Sequence, residues 1–153
     1  MHRWRFLAAC WLGSGRERLA AFESGLESAN VEAISNLIKT GPPSFEMGRA
    51  CATGIIDEGQ ADALICGGFE ISNGALSVIM ERGLSPHDPL YFVGYGDPAF
   101  YSWVSGGVST ICVPVETLAL EAANVLKNWP QSTDDELARS LFPAELVSRP
   151  GIA

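Results

Sequence analysis

Histidine is nearly absent from these 153 residues: only His2 and His87 occur. Four cysteines, Cys10, Cys51, Cys66 and Cys112, are scattered singly. None forms a CxxC pair, and none has metal-ligand spacing to a histidine. They are expected to be buried reduced thiols that behave as small hydrophobes, and no metal or cofactor site is expected. Basic residues are also scarce, 10 against 18 acidic ones, for a net charge of −8. A module that grips phosphates is ordinarily basic, so this chain is not expected to bind nucleic acid by itself. There is no run of 18 apolar residues, and therefore no candidate spanning helix. The phosphate and metal signatures of common enzymes, a Walker loop, a full GxGxxG and an HExxH, are missing as well.

What is present describes a folded domain. Hydrophobic residues make up 47% of the chain and charged residues 18%, which excludes intrinsic disorder. A chain of this length buries roughly 70% of its unfolded surface, enough for one real core. The start, His2-Arg3-Trp4-Arg5 before Phe6 to Cys10, has basic and apolar regions far too short for an export signal. It reads as a buried first strand instead, and a cytoplasmic setting is expected.

Strand and helix patterns alternate along the chain. Strands are expected at Trp4 to Leu12, Ala33 to Ile38, Ala63 to Cys66, Leu90 to Tyr95 and Ser109 to Val113, with a last short one at Ala144 to Val147. Helices are expected at Arg16 to Asn30, Ser44 to Glu58 (Ser44 as N-cap), Glu70 to Arg82 (stopped at Gly83) and Val115 to about Asn128. A polar connector over Gln131 to Arg139 divides residues 1–129 from a tail, 130–153. This alternation implies right-handed crossovers and a doubly wound parallel sheet, an α/β fold with strand order 2-1-3-4-5.

Ligands of such sheets bind outside the carboxyl ends of the strands. The loops there are Gly13-Ser14-Gly15, Gly41-Pro42-Pro43, Gly67-Gly68-Phe69 and Gly96-Asp97-Pro98, all with glycine, which permits close backbone approach. Ser14 offers a hydroxyl, and Asp97 offers either a hydroxyl acceptor or a cap for the next turn. Arg16 and Arg18 oppose the dipole at a helix start, so either they fork hydrogen bonds onto a carboxylate or vicinal hydroxyls or they are solvated beside Glu17 and Glu23. His87 falls in a loop at the opposite, amino end of the sheet. A Ser–His or Cys–His pair across the sheet is not feasible, so His87 is expected to be a solvated loop residue and the chain is not expected to be an enzyme.

An ordered set of segments carries a family likeness: Arg16 to Phe22, Ala61 to Gly68, Gly74-Ala75-Leu76, Glu81 to Leu84, Phe92 to Asp97, Ser109-Thr110-Ile111 and Phe142 to Arg149. From about Arg3 to Arg149 it resembles the C-terminal half of the sugar-binding core of LacI-type repressors. The resemblance implies one lobe of a periplasmic-binding-protein-like type I fold. It also implies that the helix-turn-helix, the hinge and most of the N-terminal lobe are absent, so that DNA is met only through that other domain. Arg18 then matches the effector-binding arginine, Ser14 an upstream polar contact, and Pro43 a position that often stacks an aromatic on the effector. Gly68 and Phe69 stand where an Asn-Asp pair is common, Asp97 is displaced by one residue from a common carboxylate, and Val113 replaces a frequent Gln. Gly94 to Asp97 and Val113-Pro114 look most like the gluconate-utilisation branch.

The resulting expectation is an effector-binding and dimerisation part of a transcription regulator, with a sugar or sugar-acid ligand and no membrane partner. A fragment of a transport solute-binding protein and a small doubly wound enzyme are the alternatives. Clustered aromatics at Phe100, Tyr101 and Trp103 suggest a protein interface, against the alternative that they pack inward. The resemblance places a homodimer contact at the edge formed by the helix Glu70 to Arg82, through Ile71, Asn73, Phe100, Trp103 and Val104. In the resembled fold the helix from Val115 packs on the other lobe, so its apolar stripe is expected to lack cover here.

Overall fold

The computed structural model describes residues 4–9, 13–30, 38–59, 61–128 and 140–149; for residues 4–9, 13, 14 and 128 only the backbone is described. The elements run β1 (Trp4–Ala9), α1 (Gly13–Ser28), β2 (Ile38–Gly41), α2 (Phe45–Glu58), β3 (Ala63–Cys66), α3 (Phe69–Glu81), β4 (Tyr91–Tyr95), β5 (Ser109–Cys112), α4 (Val115–Asn128) and β6 (Glu145–Val147). Two short 3-10 turns, Ala99–Ser102 and Val104–Gly106, lie between β4 and β5. The sheet order is β2-β1-β3-β4-β5-β6. The first five strands are parallel, in the order expected, and β6 joins β5 antiparallel. This is an α/β fold with a mostly parallel sheet.

Local chemistry explains the well-defined elements. Ser44 caps α2 by accepting a hydrogen bond from the Met47 amide at 3.1 Å, and Glu46 sits in the first turn, where the helix dipole favours an anion. At the end of α3 the Gly83 amide donates to Met80 O and the Leu84 amide to Ile79 O, a paired C-terminal closure. Strands β3 and β4 contribute Leu64, Cys66 and Phe92 to a core that also holds Ile55, Ile71, Ile79, Tyr101 and Val108. Their near-continuous apolar runs fit strands covered on both faces.

The closest helix packing is between α2 and α3. A β-carbon at Gly48 would lie 2.2 Å from Ile71 O, and one at Gly74 would lie 2.0 Å from Phe45 O. The two helices therefore meet backbone to backbone. Arg49 spans the same seam, donating to Ser77 Oγ at 2.7 Å and to both Glu81 carboxylate oxygens at 2.6 and 2.7 Å. Arg82 reaches back to Asp57 at 2.8 Å.

Several expectations need correction. The second strand is Ile38–Gly41 rather than Ala33 to Ile38; residues 31–37 lie outside the described residues, as does the connector at 131–139. Gly13, Ser14 and Gly15 are the first turn of α1, not a loop. Helix α3 is covered by α2 along one side and Ile71, expected at the dimer contact, is fully buried in the core, whereas Met80 and Glu81 at the end of α3 remain exposed. His87 is only part-exposed, with its ring nitrogen Nε2 2.7 Å from Gly107 O and Nδ1 buried without a partner. Cys66 is buried, but Cys51 and Cys112 are only half-buried. Helix α4 is uncovered, as expected: Val115, Leu118, Leu120, Val125 and Leu126 are all exposed.

The seam generates a test with opposite signs. Gly48→Ala and Gly74→Ala should each destabilise by about 2 kcal/mol, because a methyl pressed on backbone exceeds the gain in helix propensity. At Gly54, also in α2, a β-carbon would meet nothing within 4 Å, so Gly54→Ala should stabilise by up to ~1 kcal/mol. Urea unfolding of the three variants checks the pattern, and equal effects at all three sites would contradict it.

Candidate functional site

The carboxyl ends of β3 and β4 bring one cation into a defined setting. Arg18, one turn beyond the first turn of α1, donates from Nη1 to Gly67 O, the carbonyl that follows β3. Its guanidinium carbon stands 4.4 Å from the centroid of the Tyr95 ring, at the end of β4. A guanidinium carries five N–H donors in a planar fork, so fixing it on a carbonyl and a ring face pre-orients the rest of the fork. Such an arrangement suits a carboxylate or paired hydroxyls.

Behind this cation the backbone is fixed by Ser72. Its buried Oγ donates to Gly68 O at 2.7 Å and accepts from the Tyr95 amide at 2.9 Å, tying the start of α3 to the end of β4. Gly68 is the buried N-cap of α3, without a side-chain cap bond. Phe69 follows it, 43% exposed, with its ring against Gly96. Gly96 has φ of 79°, a conformation that disfavours any side chain, and a β-carbon there would meet the Phe69 ring at 3.0 Å. Beneath the site, burial pushes the Cys66 thiol well above its ordinary range, and does the same to the Tyr101 phenol, whose OH donates to Asn73 Oδ1 at 3.2 Å. Neither is an activated nucleophile.

The other sequence-derived site residues divide. Ser14 lies by its backbone in the first turn of α1, and Pro43 is exposed in the turn between β2 and α2. Gly68 sits directly beside the carbonyl that holds Arg18. Asp97 is differently employed: both carboxylate oxygens take hydrogen bonds from Arg149, at 2.8 and 2.9 Å. Arg149 also donates to Val108 O at 2.8 Å, and the pairing with Asp97 raises the Arg149 pKa. The carboxylate thus faces the segments that precede β5 and follow β6. It caps no turn, because the following 3-10 turn has Pro98 at its N-cap position without a side-chain bond. Tyr95, Ser72 and Arg149 were not expected at the site, and Phe69 was read only as part of a rim loop. Tyr95 lies inside a GxG pair of little weight by itself, and Arg149 is 52 residues from its partner.

Among the proposed interface residues, Trp103 is 69% exposed while its neighbour Tyr101 is fully buried. The aromatic cluster therefore splits between surface and core. Phe100 and Val104 are partly buried against the core, and Asn73 is engaged by Tyr101. Among the described residues there is no group of three or more metal-ligating side chains, and no helix is long and apolar enough to cross a membrane.

No family model matches the chain. Curated relatives do: the HTH-type transcriptional regulator GalR of Escherichia coli K12 is 22% identical over 143 residues, covering 93% of this chain. The HTH-type transcriptional repressor PurR of Klebsiella pneumoniae strain 342 is 26% identical over 141 residues, covering 92%. Those matches span only 42% and 41% of the relatives' own lengths. A probable LacI family regulator from Corynebacterium glutamicum superposes with a TM-score of 0.83 at 21% identity, over 98% of this chain and 54% of that one. The regulator CelR in complex with cellobiose gives 0.84 at 22% identity, over 98% and 46%. The mostly parallel α/β fold of this chain matches the corresponding part of these LacI family structures. Relatives described as LacI-type and HTH-type regulators thus cover nearly all of this chain, at low identity, while the chain spans less than half the length of the curated ones.

The Asp97–Arg149 pair is three-quarters or more shielded, with side-chain exposures of 25% and 19%. Arg149→Ala should cost about 2 kcal/mol, in the range for hydrogen bonds to charged groups. A double-mutant cycle with Asp97→Ala should return a coupling of about 1 kcal/mol. Additive losses in chemical denaturation would show that the two side chains do not act together.

Proposed function

We propose that this chain is the effector-binding and dimerisation part of a LacI-type transcription regulator, without catalytic activity of its own. The observation that supports this most is Arg18, held by Gly67 O and the Tyr95 ring at the carboxyl rim of the sheet. The LacI resemblance assigns effector binding to this arginine, and its fixed fork suits an anionic or paired-hydroxyl group. A sugar acid is the class the resemblance suggests. Ser14, Pro43 and Gly68 lie around the same rim as further contacts, whereas Asp97 serves to anchor the terminal segment through Arg149. DNA is bound by a separate helix-turn-helix domain of the complete regulator, which acts in the cytoplasm. Losing a charged hydrogen-bond donor costs about 1.5–3 kcal/mol, or roughly ten- to 150-fold in affinity. Arg18→Ala in the complete regulator should therefore move operator release to roughly ten- to 150-fold higher effector concentration, with effector-free operator affinity preserved. Normal release by that variant in a gel-shift titration would overturn the assignment.

The same reading makes the chain a homodimer. Trp103, 69% exposed, stands with Met80, 42% exposed, near Val104 and Ser105, whose hydroxyl lies 3.4 Å from Met80 Sδ. Exposed aromatics of this kind favour association. Asn73 and Phe100 border the contact; Ile71, buried under α2, does not take part. Light scattering should show a dimer or larger species, and Trp103→Asp should shift it toward monomer. A monodisperse monomer at high protein concentration contradicts this.

A further inference from the structure

We infer that Ser105 is a binding residue of the homodimer contact, held in a backbone conformation unfavourable to serine so that a second copy of this chain can meet its hydroxyl. This rests on the proposed reading that Trp103 and its neighbours join two copies, and it names a polar group that the contact uses.

Left-handed backbone is costly for a residue with a β-carbon, and after glycine it is Asn and Asp that tolerate it best. The described residues at positive φ follow that rule, being glycines and Asn30, with one exception. Ser105 has φ of 48° and ψ of 36°. The next two positions, Gly106 and Gly107, have φ of 81° and 110° and are glycine, as such a turn requires. Nothing local repays the serine. Its hydroxyl donates to Met80 Sδ at 3.4 Å, and a thioether is a weak acceptor.

A strained residue persists where its surroundings over-determine it, and such residues cluster at functional surfaces. The turn is fixed from behind. The Gly107 amide donates to Val104 O at 2.8 Å and the Val108 amide to Tyr101 O at 2.7 Å. His87 Nε2 lies 2.7 Å from Gly107 O. The Arg149 side chain packs on the same turn, 2.8 Å from where a β-carbon on Gly107 would stand. A hydroxyl presented on a turn ordered in advance costs little further ordering when a partner arrives.

Charge selects a second copy as that partner. Residues 98–108 contain no Asp, Glu, Lys, Arg or His, in a chain of net charge −8. Two such copies repel over most of their surface and meet at least cost through an uncharged stretch, whereas a basic partner would be drawn to acidic surface elsewhere. The charged residues that follow Met80 are neutralised within the chain, Glu81 by Arg49 and Arg82 by Asp57. Trp103, two residues before Ser105, and Met80, which its hydroxyl touches, are exposed and apolar. They exclude water from a hydrogen bond made between them.

The test joins sedimentation equilibrium of the full 153-residue chain with urea unfolding in a Trp103→Asp background, where the contact is disrupted. Ser105→Gly removes the hydroxyl and relieves the backbone; Ser105→Ala removes the hydroxyl and keeps the strain. Both should weaken the dimer roughly tenfold, the loss of about one hydrogen bond. In the Trp103→Asp background, Ser105→Gly should raise the urea midpoint and Ser105→Ala should not. A parent that dimerises, with both variants dimerising as tightly, overturns the inference and leaves the homodimer reading standing. A lower urea midpoint for Ser105→Gly overturns it too, because the serine is then not strained. A parent that stays monomeric at about 1 mM, the range of very weak association, removes the homodimer reading and the inference with it.

Discussion

Helices α2 and α3 touch through their backbones at Gly48 and Gly74, and that contact sets how closely α3 lies on α2. Its first residues, Gly68 and Phe69, and the carbonyl just before them, Gly67 O, form the part of the rim on which Arg18 rests. Ser72, one turn into the same helix, then ties it to the end of β4 and so fixes Tyr95 under the guanidinium. A side chain larger than hydrogen at either glycine would push α3 off α2. The carbonyl, the amide bridge and the exposed phenylalanine would move with it. The site is thus assembled on rigid secondary structure, which is what holding a cation in one orientation requires.

Charge is arranged so that Arg18 differs from Arg49, Arg82 and Arg149. Arg49, Arg82 and Arg149 all meet carboxylates, those of Glu81, Asp57 and Asp97. Arg18 meets a neutral carbonyl and a ring face. It does so at the carboxyl edge of the sheet, where α/β folds bind ligands. The pairing of Asp97 with Arg149 also makes the last strand part of the same body, because Arg149 follows β6 and grips the chain just before β5.

The strand order and element types were legible because they depend on local pattern and on a chirality rule: apolar runs, Ser44 before a helix, Gly83 after one. Arg18 stood out in the sequence as one of two arginines placed against a helix dipole and as a position marked by the resemblance. The partners of Arg18 did not, since Gly67 lies 49 residues away and a backbone carbonyl has no sequence signature. Asp97 was read by its position after β4, which cannot reveal an arginine 52 residues on. Ile71 was assigned to a surface because chain order alone does not show that α2 lies over α3. His87 was read as a solvated loop residue, yet it is tied to Gly107, which follows two other residues of positive φ in a turn that composition does not disclose.

The account depends on Arg18 being held over Tyr95 in the unliganded chain. Side-chain NMR of its Nε–H and Cδ–H2 protons measures this directly. The account predicts ring-current upfield shifts of the Arg18 side-chain protons, lost in Tyr95→Leu, and an Nε–H that exchanges more slowly than those of exposed arginines. Shifts unchanged by Tyr95→Leu, with exchange as fast as at a free surface arginine, would contradict it.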